Sequence, residues 1–170
     1  MIDARCEPLA VGNTTLCVRP IDADDVDRLS RMFDRLSPMT VYRRFFSPIR
    51  KPPRSALLEL AVVDHDRREA LVALDGDDIV AVARYDGRSD EHEAEIAVTV
   101  EDAWQHRGLG KRLSRRLAVR AVEHGYDSFV ATMQGENYAA LGLLRKLSHD
   151  ATVRFEDGGY SASVPLGRAG

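Results

Sequence analysis

Cysteine is scarce in this chain: Cys6 and Cys17, both near the start, are the only two in 170 residues. With no secretory context and no small core in need of staples, both are expected as free thiols. Long apolar runs are missing as well. No stretch approaches the roughly 20 residues of a membrane span, and no signal-peptide apolar segment follows Met1. Membrane partners are therefore not expected, and the expected compartment is the cytoplasm. Nor is there an excess of positive charge. Lys and Arg number 24 against 27 Asp and Glu, for a formal net charge of −3, which argues against a general polyanion binder and against a nucleic-acid partner. Internal repeats, low-complexity segments and compositional domain boundaries are also lacking, and no metal is expected.

What is present is ordinary in amount and uneven in distribution. Hydrophobic residues make up 44% and charged residues 30%, typical of a globular domain with a sizeable core. Residues 1–14 carry no strong pattern and are expected as a leader, 15–166 as a single domain, and 167–170 as a tail. Arginine concentrates in Arg43 to Arg54, and basic residues again in Lys111 to Arg120. Acids crowd Asp22 to Asp27 and Asp86 to Glu95.

Periodicity sets the elements. Thr15 to Arg19 reads as a strand closed by Pro20. Asp22 is a helix N-cap, and Val26, Leu29, Met32, Phe33 and Leu36 recur at helical spacing. Met39 to Phe46 suits a short helix, broken by Ser47-Pro48, and Ser55 to Ala61 another. Ala70 to Leu74 and Ile79 to Tyr85 flank the turn residues Asp75-Gly76-Asp77-Asp78, a hairpin signal. Glu93 to Val100 alternates: Ile96, Val98 and Val100 point one way, Glu95, Ala97 and Thr99 the other. Leu109, Leu113, Leu117 and Ala121 mark a helix that Gly125 ends. A strand at Ser128 to Met133 follows, then a helix capped by Asn137, then a hairpin from Ala151 to Val164.

The most informative stretch runs from Val98 through Leu113. A β-branched run leads into Gln105-His106-Arg107-Gly108-Leu109-Gly110 and then into an arginine-rich helix. A strand, a loop poor in side chains and a helix N-terminus together form an anion-binding device, because free N–H groups and the helix dipole meet there. The loop is too short for a Walker A loop, and no Gly-Lys-Ser/Thr follows it. It also lacks the third glycine and the N-terminal βαβ unit of a dinucleotide fold. Taken alone, Gly-x-Gly fits an ordinary strand-to-helix turn equally well.

In context, a β-meander ending in Val98-Thr99-Val100, then Gln105-x-x-Gly108-x-Gly110, a strand, and a helix carrying Asn137, Ala140 and Leu143 resembles the GNAT superfamily of acyl-CoA-dependent N-acetyltransferases. The resemblance covers roughly residues 15 to 165. It implies an α+β fold with a central mixed, mostly antiparallel twisted sheet of six to seven strands flanked by about four helices. It implies acetyl-CoA as co-substrate, with its pyrophosphate on Gln105, His106, Arg107, Gly108, Leu109 and Gly110; Lys111, next to the loop, is close enough to meet the phosphates. The backbone of Val98, Thr99 and Val100 would pair with the pantetheine arm, and Asn137 matches a cofactor-contacting asparagine that serves equally as a helix cap. Ser37 to Phe46 and Asp64 to Ala73 further resemble the Pat-type bacterial protein-lysine acetyltransferases. Their regulatory modules have no counterpart here, so regulation of that kind is not expected.

Acetylation of a lysine needs a proton acceptor, since with a reference pKa of ~10.4 only about one lysine in a thousand is neutral near pH 7. The Pat-type pattern puts that base at Glu95, with Glu93 and Glu101 the other acids nearby. A backbone N–H near Val98 would serve the oxyanion. The tyrosine that many such enzymes use as general acid is replaced by Leu144, and Ser148 stands where the family usually has glycine. The expected acceptor is a protein lysine; a small-molecule amine, or acyl-CoA binding without turnover, are the alternatives. No particular oligomeric state is implied.

Overall fold

Eight strands form one sheet in the computed structural model, which describes residues 3–45, 51–88 and 91–167. The order across the sheet is β1 (Glu7–Val11), β2 (Thr14–Pro20), β3 (Arg68–Asp75), β4 (Asp78–Gly87), β5 (Glu93–Val100), β6 (Ser128–Gln134), β8 (Gly159–Pro165) and β7 (Thr152–Glu156). Neighbours are antiparallel except β5 and β6, which run parallel. This is the expected mixed, mostly antiparallel α+β architecture, with eight strands and five helices among the described residues rather than six to seven and about four. Phe46, the Ser47-Pro48 break, Ser89-Asp90 and residues 168–170 lie outside the described residues.

Two apolar layers sandwich the sheet. On one face α1 (Val26–Arg35), α2 (Pro38–Phe45) and α3 (Arg54–Ala61) bury Leu29, Met32, Phe33, Val41 and Leu57 against Val72, Leu74 and Ile79. On the other, α4 (Leu109–Glu123) and α5 (Tyr138–Leu147) bury Leu113, Leu117, Leu141 and Leu144 against Ala83, Tyr85, Ile96 and Phe129. Sheet residues alternate between the layers because side chains alternate along a strand. Asp22 caps as its position indicates. Its carboxylate accepts from the Asp24 N–H while Asp25 accepts from the Asp22 N–H, opening a short 3-10 turn that runs into α1.

The leader expectation needs correction. Residues 7–11 form β1, an edge strand that buries Leu9 and Val11. Pro8 within it is tolerated because, at an edge, its missing N–H costs no ladder bond. Two carbonyls of this edge, those of Pro8 and Ala10, accept from Arg116 and Arg112 of α4, which covers it against pairing with other chains. The hairpin also brings Cys6 within a Cα separation of 5.2 Å of Cys17, and the two form a disulfide. They are therefore not the expected free thiols.

Candidate active site

Strands β5 and β6 pair only through Glu93–Ser128, Ala94–Phe129 and Glu95–Val130. Beyond Glu95 they splay, because β6 turns to pair with β8 while β5 stays on β4. One edge of Ile96 to Val100 is thus left without a strand partner among the described residues. A cavity of about 500 Å³ occupies the split, within the usual range for ligand sites. Its walls include Glu95, Val98, Thr99, Val100, Gln105, His106, Gly108, Leu109, Gly110, Lys111 and Asn137, nearly every residue expected at the site. Arg107 is not in the wall; its guanidinium lies over the Trp104 ring, 5.1 Å from the centroid.

At the far end of β5 the chain makes a 3-10 turn at Asp102–Trp104, then takes left-handed conformations at His106 (φ 59°) and Gly108 (φ 74°). Gly108 precedes α4 and supplies no side-chain cap, so the first helical hydrogen bond runs from the Arg112 N–H to the Gly108 carbonyl. The N–H groups of Leu109, Gly110 and Lys111 are the orphan donors of a helix N-terminus. All three residues line the cavity, and the helix dipole and the Lys111 ammonium add positive potential there. A Cβ at Gly110 would meet Val100 Cγ2 at 3.4 Å and Val98 Cγ1 at 3.7 Å, ordinary van der Waals contact, so α4 lies close on β5 with room there for a methyl but not for a branched side chain.

Hydrogen bonds knit this loop to α2. The Asp102 carboxylate accepts from the Ser37 N–H (2.9 Å), the Ser37 hydroxyl (2.7 Å) and the Thr40 hydroxyl (2.9 Å). Burial alone would push the Asp102 carboxyl up, but these donors hold it below its ordinary value. The Gln105 amide donates to the Val100 carbonyl (3.0 Å) and the Thr40 hydroxyl (3.3 Å). Gln105 therefore shapes the loop as well as lining it, and Asn137 is likewise shared: it caps α5 through the Ala140 N–H at 3.2 Å.

The three acids considered as bases part company. Glu95 is exposed and lines the cavity. Glu101 is held by Arg35 at 3.0 Å, and Glu93 lies outside the cavity, 4.0 Å from Arg88. The Glu91 carboxyl beside it raises the pKa of Glu93. The exposed Tyr138 is also in the wall, as are Leu144, Thr40, Arg43 and Arg44. The arginine stripe of α4 is structural beyond Lys111: Arg112 and Arg116 clamp β1, and Arg120 pairs with buried Glu69 at 2.9 Å. Among the described residues no group of His, Cys, Asp and Glu is placed to hold a metal ion, and no helix is long and apolar enough to cross a membrane.

Comparison with known proteins agrees with this geometry. The acetyltransferase (GNAT) family model matches residues 35–148. An acetyltransferase of Pseudomonas aeruginosa is 31% identical over 130 residues, 74% of this chain and 70% of that one. The acetyltransferase Pat of Mycolicibacterium smegmatis is 34% identical over 134 residues, 76% of this chain but only 40% of that protein. The crystal structure of the GNAT domain of S. lividans PAT superposes with a TM-score of 0.87 at 28% identity, covering 98% of this chain and all of that one. The chain belongs to the acetyltransferase (GNAT) family and is an acyl-CoA-dependent acetyltransferase.

Proposed function

We propose that the chain transfers an acetyl group from acetyl-CoA to a protein lysine by direct attack, with Glu95 as general base. The residues in the split fit the donor. Orphan N–H groups of Leu109, Gly110 and Lys111 suit its pyrophosphate, helped by the backbone of His106, Arg107 and Gly108. The unpartnered edge of Val98 to Val100 suits its amide arm. Gln105 and Asn137 complete the walls. When bound, acetyl-CoA supplies an activated acetyl thioester. The protein's part is positional and acid–base: Glu95 accepts a proton from the incoming ammonium, and a backbone N–H near Val98 donates to the charge that develops on the carbonyl oxygen. The leaving thiolate, with a thiol reference pKa near 8.5, departs without a dedicated acid at Leu144.

The observation that carries the base assignment is that, of Glu93, Glu95 and Glu101, only Glu95 reaches the cavity. Steady-state kinetics with a lysine-bearing protein tests it. Glu95→Gln is expected to lower kcat by about 10²- to 10³-fold and to abolish the acidic limb of the pH profile, with acetyl-CoA affinity kept. A wild-type kcat in Glu95→Gln, together with collapse in Glu93→Gln, would move the base to Glu93.

A further inference from the structure

Helix α2 runs antiparallel to β5. Its first turn is fastened at the cofactor-loop end by Asp102 and Gln105. Its last turn reaches the Glu95 end, where Arg44 feels the charges of Arg84, Asp86 and Glu95. Arg43 and Arg44 both line the cavity there. They differ from most arginines of the molecule. Arg19, Arg28, Arg35, Arg68 and Arg120 each have a carboxylate within ion-pair distance. Among the described residues, neither Arg43 nor Arg44 has one.

A cation without a carboxylate partner is costly at this place, even with the Phe45 ring 4.9 Å from the Arg44 guanidinium. Arg44 is half-buried; burial, with Arg84 as a second cation nearby, pushes its guanidinium below its ordinary value, and Asp86 and Glu95 only partly offset this. The donor's phosphates do not answer the need, since their cradle lies at the other end of β5, five residues and roughly 17 Å from Glu95 at 3.3 Å per residue. What enters at the Glu95 end is the acceptor. Glu95, exposed in the cavity wall, suits its ammonium, and the two guanidinium groups present donors suited to a carboxylate.

We infer that Arg43 and Arg44 form a carboxylate-reading part of the acceptor site, so that the preferred acceptor is an amine with an anionic group beside it: in a protein, a lysine flanked by aspartate or glutamate. This rests on the reading above that the Glu95 end receives the acceptor.

Initial rates on paired lysine peptides, with Glu or with Gln beside the lysine, test the inference. Wild type is expected to favour the Glu-flanked peptide by roughly tenfold in kcat/KM, carried by KM and reduced by salt. Arg43→Gln and Arg44→Gln should each shrink that ratio, and Arg43→Glu should turn the preference toward a Lys-flanked peptide. That reversal is a gain which a misfolded variant cannot produce. Free amino acids form a parallel arm. Turnover of these rather than of peptides, with the same arginine dependence, keeps the carboxylate subsite and replaces lysine in protein by a small acceptor. Equal rates on Glu- and Gln-flanked peptides in wild type overturn the inference while leaving protein-lysine acetylation intact. A rise in acetyl-CoA KM with an unchanged peptide ratio in the arginine variants also overturns it, assigning the arginines to the donor. Acetyl-CoA hydrolysis with no amine ever acetylated overturns both readings.

Discussion

Gly108 and Gly110 stand two residues apart and restrict substitution for different reasons. A Cβ on Gly108 would meet nothing within 4 Å, but its φ of +74° is one that β-branched residues avoid. A Cβ on Gly110 would sit against Val100 and Val98 with ordinary backbone angles. The two therefore predict different tolerances. Gly108→Asn, whose side chain accepts the left-handed region, should leave acetyl-CoA affinity within about threefold of wild type. Gly108→Val should weaken it by about five- to thirtyfold, the equivalent of ~1–2 kcal/mol of backbone strain at the start of α4. Calorimetric titration of acetyl-CoA measures both. Equal affinity in the valine variant would mean that the cradle does not depend on this conformation. At Gly110, valine drives branches into Val98 and Val100, lifting α4 from β5. The expected result is a lower melting temperature, since crowding a packed contact costs about 1–3 kcal/mol.

Helix α2 shows how an element is fixed by contacts far away in sequence. Ser37 and Thr40 bind a carboxylate more than 60 residues on, at Asp102, and this fastens the wall that carries Arg43 and Arg44 to the loop that leads into α4. Asp102→Ala is expected to raise the acceptor KM by about ten- to a hundredfold, since each hydrogen bond to a charged group contributes about 1.5–3 kcal/mol. Acetyl-CoA affinity should change much less, because the orphan N–H groups of α4 remain. A matching loss in both substrates would indicate general collapse of the loop. None of this clamp was legible in the sequence, where Asp102 reads as one more acid in a turn. Most helices and strands were legible, because Leu109-Leu113-Leu117-Ala121 and Ile96-Val98-Val100 display the periods of buried faces without reference to anything distant. The loop that opens α4 at the cavity was legible because glycine, strand and helix start are contiguous. Strand β1 was not: five residues containing a proline carry too little period, and what makes them a strand is pairing with β2 and capture by Arg112 and Arg116. The place of the Arg107 side chain was not legible for the same kind of reason, its partner being the face of Trp104.

Across the whole molecule, charges buried between sheet and helices link stability to pH. Asp25 is fully buried and held two-pronged by Arg19, at 2.7 and 2.8 Å, and it also accepts from the Asp22 N–H. Burial alone would raise its carboxyl, but Arg19 and the backbone donor outweigh that and set it below the ordinary 3.8. A carboxyl depressed in the folded state contributes stability that is fully present above its unfolded value and is lost as pH falls through the folded one. Wild type should therefore lose stability progressively below about pH 4, with Asp102 adding to the same slope. Asp25→Asn keeps shape and removes charge, leaving Arg19 buried beside a neutral amide. The expected cost at pH 7 is about 3–5 kcal/mol, read as a shift in the urea midpoint. The gap between variant and wild type should narrow as pH falls below 4, because wild type then protonates the same group. A gap that stays constant from pH 7 to pH 3 would mean that shape rather than charge at Asp25 supports the junction of β2 and α1.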